Sequence, residues 1–106
     1  MFNQEDLKNL LLTIDPNLKK GFWNGSAESY TCWTPHTYSS SQSDDHREDR
    51  MIMVTIDRWS KNPNDTLATE IEAALDENYI NHDDPLLVLD EESGYWRWII
   101  DCQVMA

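Results

Sequence analysis

The segment Met51–Trp59 gives the strongest strand signal in the chain, and it limits the fold more than any other feature. Ile52, Val54 and Ile56 fall on one face of this segment, because successive side chains of a β-strand point to opposite sides. A strand with one apolar face must bury that face against another layer. The sequence therefore predicts a β-sheet whose core lies on the side of these three residues.

The end of the chain predicts an antiparallel hairpin. Two strand-like segments, Leu86–Leu89 and Tyr95–Val104, flank the turn Asp90–Gly94. Gly94 can adopt the positive φ that such a turn requires. One face of the last strand carries its two tryptophans and is assigned to the core: Trp96, Trp98, Ile100, Cys102 and Val104.

Two amphipathic helices are predicted. The first begins at the cap residue Asn3 and ends before Asp15-Pro16, because a residue that precedes proline avoids helical dihedral angles. The second covers residues 66–78 and follows a turn at 62–65. The apolar faces are Leu7, Leu10, Leu11 and Ile14 in the first helix and Leu67, Ile71, Ala74 and Leu75 in the second.

Two segments between these elements predict loops. Residues 16–27 form the first, and a short strand, Ser29–Trp33, follows and is closed by Pro35. Residues 36–50 are almost without apolar side chains and cannot bury enough surface to offset the cost of their own ordering. They predict a long mobile loop that is functional or is ordered only on assembly.

The order of the elements predicts the fold class. Helix, strand, long loop, strand, helix and hairpin follow one another along the chain. We expect an α+β fold with a mostly antiparallel four-stranded sheet, two helices packed on one face, and the long mobile loop between the first two strands. Residues 1–106 are expected to form one domain, since this length with 40% hydrophobic residues suffices for one modest core.

The charge of the chain limits its partners. The formal net charge is −12 and the pI is near 4.3, so nucleic-acid phosphate or an anionic membrane would be repelled, and we expect a protein partner. No stretch reaches the roughly 18 apolar residues of a membrane span. The N-terminus lacks the pattern of a signal peptide, so a cytoplasmic chain is predicted. Cys32 and Cys102 are too far apart for a metal pair, and buried thiols are predicted.

The polar residues do not form a known catalytic pattern. A metal ion could use ligands of the long loop, but their spacing fits neither H-E-x-x-H nor an EF-hand, and a solvated loop is the favoured interpretation. These candidates are His36, Asp44, Asp45, His46, Glu48 and Asp49. The segment 82–85 is interpreted as a turn. With no nucleophile elbow and no Gly-rich phosphate loop, we expect no catalytic residue, no cofactor, no metal and no enzyme activity.

Acidic residues dominate the second half of the chain. Ten carboxylates and no lysine or arginine lie between Lys61 and Arg97, so most of the net charge is expected on the second helix and the hairpin. This pattern can serve solubility alone. It can also form a face that repels passing DNA or docks a basic protein surface.

Several segments together resemble one protein family. They are an N-terminal leucine helix, the short strand Tyr30–Trp33, the acidic loop Ser43–Asp45, the segment Val54–Lys61, the helix end Ile71–Leu75 and the closing hairpin Asp90–Arg97. In their order and spacing, over roughly residues 5–104, the chain is similar to the tail terminators, also called tail completion proteins, of long-tailed bacteriophages.

The resemblance implies a structural role. Such proteins form a ring, commonly hexameric, on the end of the growing tail tube, stop its polymerisation and meet the head connector. The implied partners are copies of the chain itself, the tail tube protein and the head connector or completion protein. DNA would only pass through the lumen, with no specific nucleic-acid binding and no membrane contact. The implied location is the tail or neck of the virion, assembled in the host cytoplasm.

The long loop is the segment expected to line the lumen or grip the tube, because mobile segments can become ordered on assembly. The residues assigned to this role are Asp44, Asp45, Arg47, Glu48, Asp49 and Arg50.

Three alternatives remain open at the level of sequence. An acidic inhibitor that mimics DNA and sequesters a host nuclease or defence protein explains the charge equally well. Another neck protein, such as a head completion protein, shares the implied setting. A metal-dependent hydrolase would be built on His36, Asp45 and His46 and would carry bound metal.

Overall fold

The computed structural model describes residues 2–21, 27–36 and 51–105. The described part is α+β, with two helices and one open sheet of five strands. In chain order the elements are α1 (Gln4–Ile14), β1 (Leu18–Lys20), β2 (Ser29–His36), β3 (Met51–Ser60), α2 (Leu67–Glu77), β4 (Leu86–Asp90) and β5 (Tyr95–Met105).

The sheet has the strand order β1-β2-β3-β5-β4. All neighbouring pairs are antiparallel except β1 and β2, which are parallel. The prediction of four strands is therefore wrong by one strand, since Leu18–Lys20 lies in the segment 16–27 that was predicted as a loop. Two of its three residues are lysines, and three residues are too few to show alternation. No local signal marks this strand.

β2 is longer than the sequence suggests. It was predicted to end at Trp33, but it continues through Pro35 to His36. The Trp33 carbonyl accepts the N–H of Gly21, at 2.8 Å, on the β1 side of the strand. The backbone N–H and C=O groups of successive residues point to alternate sides of a strand, so those of Trp33 and Pro35 point to the same side. The Pro35 nitrogen therefore faces the β1 side of the sheet, beyond the end of β1. The missing N–H of proline therefore interrupts no pairing with β3.

Both helices pack on the same face of the sheet. The predicted apolar face of β3 and the predicted faces of both helices meet there, as expected from their spacing. The buried cluster comprises Leu7, Leu11, Trp33, Ile52, Val54, Ile56, Ile71, Leu75, Ile80, Ile100, Cys102 and Val104. The two-layer arrangement of helices over a sheet is confirmed.

The helix boundaries follow local chemistry. Asn3 caps α1 as predicted: its side chain accepts the Asp6 N–H at 2.9 Å, and the Asp6 carboxylate accepts the Asn3 N–H at 3.2 Å. α1 ends at Ile14, before Asp15. α2 lies within one residue of the predicted range 66–78 at both ends. Its first N–H, at Leu67, is accepted by the Asp65 carboxylate at 3.0 Å.

The hairpin and the cysteines agree with the sequence. Gly94 has a φ of 77° and ends the turn between β4 and β5, as its position predicts. Cys32 and Cys102 are both buried, on opposite faces of the sheet. Burial raises the pKa of the Cys102 thiol to about 12, so this thiol is protonated at neutral pH.

Candidate assembly surface

β4 is the outermost strand on one side of the described sheet, and it is apolar on both faces. The exposed fractions are 60% for Leu86, 46% for Leu87, 42% for Val88 and 41% for Leu89. Proteins protect edge strands with lysines, prolines or bulges, and the five residues of β4 contain neither lysine nor proline. Single exposed apolar residues are ordinary, but four in succession on an edge mark an interaction surface.

The backbone of β4 turns two residues toward its outer edge. The Asp101 carbonyl and the Gln103 N–H bond to the segment 81–83, which precedes β4 on the same side of β5. Odd-numbered residues of β5 therefore face β4, and their register partners are residues 86, 88 and 90. Leu87 and Leu89 consequently direct their N–H and C=O groups away from β5.

Two tryptophans of β5 extend this apolar surface on the helix-covered face. Trp98 is the register partner of Leu87, and Trp96 is the partner of Leu89. Both tryptophans are only half-buried. The assignment of this face to the core is confirmed for residues 100, 102 and 104, but it is wrong for the tryptophans, because the buried cluster beneath the helices includes neither.

Carboxylates stand at both ends of β4. Asp83 and Asp84 precede the strand and are exposed. Asp90 ends the strand, and the exposed Glu91 and Glu92 follow it in the turn. The apolar edge is therefore bounded by negative charge on both sides. The sequence shows these carboxylates, but it does not show that they bracket an exposed edge.

His82 ties the segment before β4 to the end of α2. Its Nε2 lies 2.7 Å from an Asp76 carboxylate oxygen, and its Nδ1 lies 2.8 Å from the Asp83 carbonyl. Both partners are acceptors, so both ring nitrogens act as donors when the imidazole is protonated. The hydrogen bond to the Asp83 carbonyl, followed by that to Asp76, raises the pKa of His82. The prediction of a turn at 82–85 is wrong: the turn lies at 78–79, and His82 forms an antiparallel bridge with Cys102, so the segment before β4 runs along β5.

Lysines gather at the opposite end of the sheet. β1 carries Lys19 and the exposed Lys20, whose Nζ lies 5.4 Å from the centroid of the Trp33 ring. Lys8 of α1 lines the same depression as Lys20, and its Nζ lies 3.8 Å from the Glu5 carboxylate. The described sheet therefore has an acidic, apolar edge at β4 and a basic edge at β1. The pattern of the sequence did not reveal this contrast, because β1 itself was not predicted.

A buried ionic network lies on the helix-covered face. The Arg58 side chain is 2% exposed, and its guanidinium pairs with Asp15 at 2.8 Å and with Asp65 at 2.9 Å. The Thr31 hydroxyl donates to Asp15 at 2.6 Å. Among the described residues, no buried side-chain nitrogen or oxygen lacks a hydrogen-bond partner. The sequence held one signal for this network, since Arg58 shares the face of Ile52, Val54 and Ile56.

The geometry of this network indicates a structural role. Asp15 follows α1, Thr31 lies on β2 and Asp65 precedes α2, so one guanidinium joins three elements to β3. Burial raises the pKa of Asp65, but the hydrogen bonds and charge of Arg58, together with the hydrogen bonds from Ser60 and the Leu67 N–H, lower it below its usual value. A carboxylate held in this way stays ionised and serves as a fixed partner rather than as a proton carrier.

The other face of the sheet carries a small aromatic cluster. Tyr30 stacks on Trp59 with ring centroids 6.0 Å apart, and Tyr95 meets both rings edge-on. Arg97 covers Trp59 at 5.0 Å and pairs with Asp57 at 2.9 Å. Burial raises the pKa of Asp57, and the charge of Arg97 opposes that rise. These rings pack against one another and stabilise the sheet.

The residues assigned to the tube or lumen contact lie outside the described residues: Asp44, Asp45, Arg47, Glu48, Asp49 and Arg50. Of the candidate metal ligands only His36 is described, and its Nε2 lies 2.7 Å from the Thr55 hydroxyl. Within residues 2–21, 27–36 and 51–105, no three His, Cys, Asp or Glu side chains come together to hold a metal ion.

One cavity of about 490 Å³ lies at the end of the sheet near the start of α1. Phe2, Met51, Tyr79 and Ile80 contribute to its walls, together with amide side chains. Among the described residues, those that line it carry no carboxylate and no imidazole group. Tyr79 is 95% exposed beside it.

Comparison with known proteins adds no assignment. No protein-family model matches the chain, and a search of curated proteins gives no significant match. Neither α1 nor α2 is long and apolar enough to cross a membrane, and these are the helices of the described part. The function must therefore be argued from the surfaces themselves.

Proposed function

We propose that this chain is a structural protein that assembles into a ring on the tail tube of a long-tailed bacteriophage, stops tube polymerisation and joins the tail to the head connector. The observation that carries the proposal is β4, an edge strand with four exposed apolar residues. An unprotected edge strand is a template for pairing with another chain. The resemblance to tail terminators supplies the setting in which such pairing is useful.

The charge distribution supports the same role. The chain carries a net charge of −12, and its second half supplies ten carboxylates between Lys61 and Arg97. A ring of such subunits presents strong negative potential, which repels DNA phosphates and lets DNA pass without adhering. The role is therefore non-enzymatic, with protein partners and no specific nucleic-acid site.

The remaining partners follow from this role. They are the tail tube protein on one side of the ring and the head connector or completion protein on the other, within the neck of the virion. Our prediction for the contact with the tube or the lumen remains the same set of loop residues: Asp44, Asp45, Arg47, Glu48, Asp49 and Arg50. A ring needs head-to-tail interfaces that close, and these interfaces differ from the surfaces that meet the tube.

The test is polymerisation of tail tube protein in the presence of the purified chain, with tube length measured in negative-stain images. We expect shorter tubes with extra density on one end. A variant with Asp44→Asn and Asp45→Asn tests the loop, and Glu70→Gln with Glu77→Gln removes the same charge from the exposed side of α2 as the matched control. Tubes of unchanged length with bare ends would contradict the proposed function.

A second candidate function is supported by the acidic surface of α2. Glu70, Asp76 and Glu77 are exposed on this helix, whose last turn carries no basic residue. Spaced carboxylates on a rigid helix can imitate DNA phosphates and occupy a basic protein surface. An acidic inhibitor would compete with DNA for a nuclease or defence protein, whereas a tail terminator would not. Competition measured by fluorescence anisotropy of labelled DNA separates these two functions.

A further inference from the structure

We propose that copies of this chain join edge to edge, with β4 of one copy pairing antiparallel with β1 of the next. The two strands end the described sheet on opposite sides. β4 runs antiparallel to β5, β5 to β3 and β3 to β2, while β1 is parallel to β2. β4 and β1 therefore run in opposite directions. Copies placed side by side in the same orientation bring these strands together as an antiparallel pair.

The backbone groups of the two edges match in spacing. Leu87 and Leu89 turn their N–H and C=O groups to the outer side of β4. On β1, the Gly21 N–H bonds to β2, so by alternation Leu18 and Lys20 turn outward. Each edge thus has two residues whose N–H and C=O groups point away from the sheet, separated by one residue whose groups bond within it. Pairing Leu87 with Lys20 and Leu89 with Leu18 would form a regular ladder.

The side chains keep the same face in this arrangement. In the register of the sheet, Leu18 is aligned through Thr31, Arg58 and Trp98 with Leu87, all in one row. The side chains of these residues, on both edges, therefore lie on the helix-covered face. A continuous sheet across two copies would place the helices of both on one side, and the exposed Leu87 and Leu89 would be buried between them.

Charge selects β1 rather than a second β4 as the partner. Two β4 strands paired antiparallel would bring Asp83 and Asp84 of one copy beside Glu91 and Glu92 of the other, at both ends of the contact. Like charges that face each other across a pair of strands are destabilising. β1 offers Lys19 and Lys20 instead. In the antiparallel pair Lys20 lies toward the start of β4, where Asp83 and Asp84 stand.

A contact between two different surfaces of the same chain is heterologous, so it forms a ring if the rotation closes. This inference rests on the proposed function for closure into a ring that fits a tail tube. The contact itself does not depend on tube protein. It can therefore be tested on the purified chain, separately from the effect on tube length.

Proline variants test each edge without disturbing the sheet. Leu87→Pro removes an N–H that points outward, and Lys20→Pro does the same on β1, so neither removes a hydrogen bond within the sheet. Leu87→Ala and Lys20→Ala are the matched controls, because they shorten the side chain and keep the N–H. Circular dichroism and thermal melts check that each variant is folded. Leu89→Pro replaces Leu87→Pro if the latter is unfolded.

Mass photometry and sedimentation give the outcome. We expect the wild type to self-associate, and each proline variant alone to stay at the 12.4 kDa of one chain. Each alanine control loses its side-chain contacts but keeps the N–H, so it should associate more than the proline variant at the same position. A mixture of Leu87→Pro and Lys20→Pro retains one intact β4 and one intact β1, so it should give a species of two chains and nothing larger. Self-association of the wild type should weaken with added salt, which screens the charged ends.

Three results would overturn the inference: a wild type that stays single at its highest soluble concentration, association of Leu87→Pro equal to the wild type, or association of Lys20→Pro equal to the wild type. The last would indicate that β4 pairs with itself. A positive mixing result with unchanged tube length would refute the proposed function and leave the contact in place. Shortened tubes together with a wild type that stays monomeric would refute the edge-to-edge contact and leave the proposed function in place.

Discussion

Replacing Arg58 with methionine should destabilise the fold more than any single change on its surface. The guanidinium is 2% exposed and contacts Asp15 and Asp65 at 2.8 and 2.9 Å. Arg58→Met keeps much of the aliphatic volume but leaves the Asp15 carboxylate, whose side chain is 6% exposed, without its counter-charge. Removing one partner of a buried ion pair costs about 3–5 kcal/mol.

This loss is large against the stability of the domain. A chain of 106 residues is expected to have a free energy of unfolding of about 5–15 kcal/mol. A loss of 3–5 kcal/mol lowers the Tm by roughly 12–40 °C for a domain near this size. Urea denaturation at neutral pH, followed by circular dichroism, measures the change directly. Lys61→Met, at an exposed lysine over the Tyr95 ring, is the control and should cost about 1 kcal/mol or less.

A second substitution tests the physical cause. If the cost of Arg58→Met comes from an unpaired charge, then adding Asp15→Asn should recover about 1–3 kcal/mol. The amide oxygen of asparagine can still accept the Asn17 N–H, and the Thr31 hydroxyl can turn to accept from the amide nitrogen. A loss below about 1 kcal/mol for Arg58→Met, or a further loss on adding Asp15→Asn, would refute this reasoning.

The pH dependence should change with the same variant. Arg58 lowers the pKa of Asp65 below that of the unfolded chain, about 3.9. The stabilisation from this pair is therefore present above the unfolded pKa and is lost as pH falls through the folded pKa. Urea midpoints of the wild type should fall more steeply with acid than those of Arg58→Met. Parallel curves for the two proteins would contradict the assignment of the lowered pKa to Arg58.

Three further predictions concern single positions. The pKa of His82 is raised, so its contribution to the free energy of unfolding is present below the unfolded pKa and is lost as pH rises through the folded pKa. Urea titrations should therefore show the wild type more stable than His82→Gln by about 0.5–1 kcal/mol at acid pH. This difference should disappear at alkaline pH. Tyr79 has a φ of 58° and is 95% exposed, so Tyr79→Gly should raise stability by about 1 kcal/mol by relieving the left-handed backbone, and a thermal melt with a lowered Tm would contradict this. Lys20 and Lys61 are a matched pair, since each lies over an aromatic ring, at 5.4 and 5.3 Å, but only Lys20 lies on the β1 edge. Lys20→Glu should therefore reduce self-association, measured by sedimentation, more than Lys61→Glu does. Equal effects would argue against a role for the basic edge.

Local signals determined the parts of this fold that depend on near neighbours in the chain. Asn3 caps α1 because its side chain and that of Asp6 reach each other's backbone within one turn. Gly94 takes a positive φ because the turn requires it. The alternation in β3 marked its buried face correctly, since the period of a strand is a property of its own backbone.

Features that depend on strand order were not predictable in the same way. The apolar run of β4 looks like a buried strand in the sequence, because an apolar run without alternation is typical of strands covered on both faces. In the structure the order β1-β2-β3-β5-β4 leaves it at an edge. β1 has no local pattern and exists because β2 offers it a partner.

The sequence by itself therefore determined the helices, the hairpin, the core face of β3 and the acidic charge of the chain. Only the tertiary structure decided that Arg58 is buried between Asp15 and Asp65, and that an apolar edge and a basic edge lie at opposite ends of one sheet. The physical reason is that these contacts join residues far apart in the chain. Their burial and exposure are set by which strands become neighbours, and no short segment of sequence encodes that order.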